Sequence, residues 1–68
     1  MSLETLSERE RQIAFLIAKG LTNKAIARKL GIAEQTVKRH VHTVFQKSGI
    51  HTRAKLAVKI LSELREGS

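Results

Sequence analysis

Residues 22 to 49, TNKAIARKLGIAEQTVKRHVHTVFQKSG, constrain this chain more than any other segment. They read as a short helix, a tight turn at Gly31 and a longer helix closed by Gly49. Thr22 can cap the short helix, and Ile26, Ala27 and Leu30 form its inner stripe. Gly31 ends it because glycine takes the left-handed conformation at little cost. Ile32 is expected to plug the core from the turn. The longer helix is expected over about 34–48 and starts irregularly, since Ala33 has no oxygen to cap it. A missing cap costs about 1 kcal/mol; Glu34 in the first turn offsets part of this against the helix dipole. A short helix bracing a longer, basic one is how a small protein presents side chains to a DNA groove. The arrangement points to binding rather than catalysis.

The flanking segments read as helices too. Ser7 and Glu10 have capping-box spacing, Ile13, Leu16 and Ile17 share one face, and Gly20 stops the helix. After Gly49, Ile50 is expected to tuck back and Thr52 to cap a last helix with Leu56, Ile60 and Leu64 as its core stripe. The expectation is an all-α, four-helix bundle with a central helix-turn-helix, its helices at about 7–19, 23–30, 34–48 and 53–65 of a single domain spanning 1–68. Residues 1–3 and 66–68 resemble expression remnants and carry no weight, and the chain is expected to be a piece of something longer.

Charge sharpens the functional reading. Through residue 18 there are three acids and two bases; from residue 19 onward there are eleven bases and three acids, and the whole carries +7. A field of one sign over part of a small fold attracts polyanions. With 68 residues and no cysteine, the chain has neither disulfides nor thiolate metal ligands to support it. No apolar run reaches the roughly 18 residues of a membrane span, and no signal peptide is visible, so a cytoplasmic location is expected.

Advancing about 100° per residue along the third helix separates its faces. Val37, Val41, Val44 and Ser48 group on one side, with Phe45 at the edge. Gln35, Lys38, Arg39, His42 and Gln46 group nearly opposite. All five can donate hydrogen bonds and none is acidic, which suits the acceptor-rich edges of guanine and adenine in a major groove. They are the candidate base contacts. Thr36, His40 and Lys47 lie on a third side. Asn23, Lys24, Thr36 and Lys47 are the candidate phosphate contacts, aided by main-chain N–H groups at the starts of helices 2 and 3.

Other chemistries find little support. His40 and His42 project about 160° apart on a helix and cannot share one ion. With no Cys and no Asp a metal site lacks ligands, and a Ser-His-Asp triad is impossible in the literal sense. No enzyme, cofactor or metal is expected; His40 reads as a packing residue. On helix 4 a second apolar stripe, Ala54, Val58 and Leu61, is either a homodimer contact or part of a broad core face. Phe15 lies opposite its helix's core stripe and marks either a partner surface or a fold-back onto Leu21 or the N-terminal segment.

From Leu6 to Val58 the chain resembles the LuxR-type (GerE/NarL-like) helix-turn-helix domain. The matching motifs, in order, are LSERE at 6–10, AKGLTNK at 18–24, TVKRH at 36–40, KSG at 47–49 and the Thr52-Arg53 pair. The resemblance implies the C-terminal output domain of a bacterial transcription regulator, often a response regulator, with a receiver or sensor domain N-terminal to it. It further implies that helix 3 enters the major groove of double-stranded DNA, that Lys38, Arg39 and His42 read bases, and that helix 4 pairs protomers on an inverted-repeat operator. In one branch of the family this helix stays masked until activation. The chain departs from the pattern at Ala33, where Ser or Thr is usual, at Ala25, where Glu is common, and at Phe15, where a polar residue is usual. Two other readings stay open: a promoter-binding helix-turn-helix like region 4 of sigma factors, and a helical protein-interaction module.

Overall fold

The computed structural model describes residues 5–67, with side chains described through residue 65. The reading of residues 1–3 and 68 as remnants lies outside the described residues. Four helices follow in order: α1 (Glu8–Ala18), α2 (Asn23–Leu30), α3 (Glu34–Ser48) and α4 (Arg53–Gly67), with no strand among the described residues.

Local chemistry sets the boundaries. The Ser7 hydroxyl accepts from the Glu10 N–H at 3.2 Å while Glu10 Oε1 accepts from the Ser7 N–H at 2.9 Å, so two orphan donors of the first turn are satisfied reciprocally. At the other end Gly20 takes φ 91°. Its N–H donates to the Ile17 carbonyl, and the Leu21 N–H donates to that of Leu16. This pair of bonds is the Schellman closure. Thr22 Oγ1 caps α2 by accepting from the Ala25 N–H at 3.1 Å. Gly31 at φ 68° then reverses the chain, and the Ile32 N–H reaches back to the Ala27 carbonyl. No side chain caps α3 at Ala33. Thr52 Oγ1 accepts from the Lys55 N–H at the start of α4.

One core joins these pieces. Ile13, Ala14, Leu16 and Ile17 of α1 meet Ile26 and Ala27 of α2, the α3 valines 37, 41 and 44, and Leu56 and Ile60 of α4. Leu6, ahead of α1, is also buried. The α1 helix lies against both α3 and α4, while α2 packs on α3. The helix-turn-helix unit is thereby held from behind, with the outer side of α3 left open.

The last helix departs from the sequence expectation in two ways. It continues to Gly67 rather than ending near 65. Leu64, expected in the core stripe, is 49% exposed. It lines a shallow cleft with Leu6, Phe15 and the Arg11 side chain instead of meeting a covering helix. Leu30, expected inside, is only half-buried.

Candidate nucleic-acid interface

The 3.6-residue period of α3 places its valines against α1 and α2, with Val37 and Val44 fully buried and Val41 nearly so. Ser48 closes this inner line: its hydroxyl donates to the Phe45 carbonyl and accepts from the Ile50 N–H, both at 3.3 Å. The opposite side is therefore fixed in direction by core packing. On it Gln35, Lys38, Arg39, His42 and Gln46 are all exposed.

Among the described residues no ion pair neutralises that side. The ion pairs among the described residues are Lys47 with Glu10 and Lys59 with Glu63, and neither reaches it. The Lys38 and Arg39 side chains make no hydrogen bond within the described structure. Two cations and three further donors, with no carboxylate among them, thus stand on one rigid, solvent-facing strip about three turns long.

The candidate phosphate residues fare differently from one another. Lys24 is exposed and Thr36 half-buried. Asn23 is half-buried, and its Oδ1 accepts from Arg53 Nη1 at 3.0 Å. Lys47, another candidate phosphate contact, already has partners inside the domain. Its ammonium donates to Glu10 Oε1 at 2.9 Å and to the Thr5 carbonyl at 3.2 Å. The pair ties the last turn of α3 to the first turn of α1. Glu10 is buried at this junction. The Lys47 hydrogen bond, helped by the Ser7 N–H, holds the Glu10 carboxyl below the usual carboxylate range against the opposing effect of burial.

Sequence reasoning missed the partners of these two ties. Local spacing gives Glu10 only as a cap, and Arg53 only as half of a motif. The Arg53 guanidinium bridges α4 to the start of α2, donating to Asn23 Oδ1 and to the Leu21 carbonyl. His40 is half-buried, and no cluster of three metal-ligating side chains occurs among the described residues.

On α4 the second apolar stripe is not core. Ala54 is exposed, Val58 is 68% exposed and Leu61 53%. Phe15 is also at the surface, with the Lys19 ammonium 4.9 Å from its ring centroid. The cation rests on its π face, and the ring lines the cleft beside Leu6 of the segment ahead of α1.

A short capped helix, a left-handed glycine turn and a longer helix with an open cationic side define a helix-turn-helix domain of the DNA-binding type. Comparison with known proteins narrows the class. The family model for bacterial regulatory proteins of the luxR family matches residues 4–60, and the chain belongs to that family. It is similar to the nitrate/nitrite response regulator protein NarL of Escherichia coli strain K12, at 48% identity over 58 residues, covering 85% of this chain and 27% of NarL. The DNA-binding transcriptional activator DevR/DosR of Mycobacterium tuberculosis is 41% identical over 56 residues, covering 82% of this chain and 26% of the relative. Among solved structures, that of the response regulator ChrA from a heme-sensing two-component system superposes with a TM-score of 0.77 at 34% identity, covering 96% of this chain and 32% of ChrA. The chain thus spans about a quarter of the length of the NarL and DevR/DosR relatives. These relatives are two response regulators and a DNA-binding transcriptional activator.

Proposed function

We propose that the domain is the output module of a bacterial transcription regulator and binds double-stranded DNA with α3 in the major groove. The observation that carries this is the unneutralised strip Gln35, Lys38, Arg39, His42 and Gln46, held outward by the buried valines behind it. Lys38 and Arg39 are the candidate readers of guanine, Gln35 and Gln46 of adenine, and His42 completes the contact face. Asn23, Lys24 and Thr36 are assigned to phosphates. Lys47 braces α3 and adds its charge to the field rather than a free contact.

Dimerisation belongs to the same reading. Val58 and Leu61, with Ala54, form an apolar stripe that the domain leaves uncovered. Paired α4 helices would place two reading helices on an inverted repeat, with half-sites spaced by about one DNA turn. A receiver or sensor domain elsewhere in the intact protein, and a cytoplasmic location, complete the proposal. They are supported by the response-regulator relatives and by the absence, among the described residues, of any helix long and apolar enough to cross a membrane.

The test is a duplex selected from a random pool, titrated with the domain between 50 and 200 mM salt. Affinity is expected to fall steeply, because each neutralised phosphate releases counterion. Salt-independent binding, or no duplex enriched, would overturn the reading and favour a protein-interaction module. Val58→Asp is expected to weaken binding to a two-half-site operator more than to one half-site. Equal losses would remove α4 from the dimer contact.

A further inference from the structure

We propose that Arg53 is a positioning residue for the bound DNA backbone. It fixes the Asn23 amide with its oxygen inward and its NH2 group outward, as a donor to a phosphate oxygen. The inference rests on the DNA-binding reading above and adds a residue from the helix not otherwise assigned to the nucleic acid.

The geometry is specific. Arg53 opens α4 and Asn23 opens α2. Arg53 Nη1 donates to Asn23 Oδ1 at 3.0 Å while Nη2 donates to the Leu21 carbonyl. A guanidinium carries only donors, so the amide atom it faces has to be the oxygen. The second bond, to main chain, stops the planar fork from swinging. The Asn23 side chain then has one remaining polar group, Nδ2, which has no hydrogen-bond partner among the described residues and is not sealed from solvent. A free asparagine can present either end of its amide to an approaching phosphate, and the oxygen end would repel it. With Arg53 in place only the donor end faces out. The surroundings agree: the first turn of α2 has no acidic residue, and the adjoining Lys24 is exposed.

Four variants, Asn23→Asp, Asn23→Ala, Arg53→Met and the Asn23→Ala/Arg53→Met double, test this by thermal unfolding and by binding to the selected duplex and to a random one. Asn23→Asp keeps an acceptor for Arg53, so its unfolding temperature is expected to match the parent or exceed it. Its DNA affinity is expected to fall roughly tenfold on both duplexes alike, the scale of one hydrogen bond to a charged group, because a phosphate contact carries no sequence information. Asn23→Ala is expected to lose about as much. Arg53→Met is expected to weaken the parent but to cost nothing further once Asn23 is Ala. Asn23→Asp binding at parental strength, or losses from Asn23→Ala and Arg53→Met that simply add, would overturn the proposal. If Arg53→Met fails to fold, the Asn23→Asp result still decides. Loss of binding by Lys38→Ala with no loss in these variants would sink the Arg53 inference and leave the DNA reading standing; a parent that binds no duplex would sink the reading itself.

Discussion

The two ends of α3 are built on opposite plans. At its C-terminal end Lys47 is held by Glu10 and Thr5, Ser48 bonds the Phe45 and Ile50 main chain, and Gly49 turns the chain away. At its N-terminal end Ala33 offers no cap, and the Gln35, Lys38 and Arg39 side chains have no partner among the described residues. The helix is fastened where it leaves the domain and bare where a groove would receive it. A side chain spent on an internal bond cannot also read a base. Stability and recognition are therefore carried by different side chains of one rod, joined by the valine line.

The sharpest way to break this contrast is through that line. Val44 is fully buried, and Val44→Asp would set an unpaired carboxylate in the core, a class of change that costs upwards of about 4 kcal/mol. A domain this small is expected to unfold, read as loss of the helical circular-dichroism signal. On the open stretch the balance reverses. Lys38→Ala or Arg39→Ala is expected to lose about 1–3 kcal/mol of affinity for the selected duplex and to relax preference at one base pair, with an unchanged unfolding temperature. Equal destabilisation by these variants would erase the distinction between the two stretches.

The fastened end predicts a pH dependence. The folded carboxyl of Glu10 titrates below its ordinary value of 4.5. Its contribution is therefore present above that ordinary value and is lost as pH falls through the lower, folded value. Glu10→Gln removes the charge but keeps an acceptor for the Ser7 N–H. At neutral pH it is expected to cost about 1 kcal/mol, the discounted worth of a pair whose lysine is partly exposed. For a domain of this size that is about 4–8 °C in unfolding temperature. The difference between parent and variant should shrink as the pH drops below 4.5. A gap of constant size across that range would detach Glu10 from the anchor. DNA affinity at neutral pH should change less than in Lys38→Ala.

What the sequence made legible is what short-range chemistry controls. The capping oxygen of Thr22, the reciprocal Ser7–Glu10 cap and the left-handed turns at Gly31 and Gly49 each act within a few residues, so spacing alone places the helix ends. The valine line and its cationic counterface follow from one helical period. The ties that aim the site were not legible. Glu10 and Lys47 are 37 residues apart, and Asn23 and Arg53 are 30 apart, so each pairing exists only once α1 lies on α3 and α4 meets α2. Leu64 teaches the same point from the apolar side. Periodicity gives the face a residue shares, but whether a neighbouring helix extends far enough to cover it is a tertiary fact, and among the described residues none does.

The bare start of α3 offers the finest adjustment. Ala33 already has the extended backbone of a capping residue, φ −69° and ψ 145°, so a hydroxyl added there needs no rearrangement of the main chain. Ala33→Ser is expected to add about 0.5–1 kcal/mol of stability, a few degrees in unfolding temperature. It lies outside the strip that faces the bases, so the preferred duplex sequence should not change. A stability gain with unaltered sequence preference would show that the open end of α3 is read through its side chains. A changed preference would mean that the entry angle of the helix also takes part in recognition.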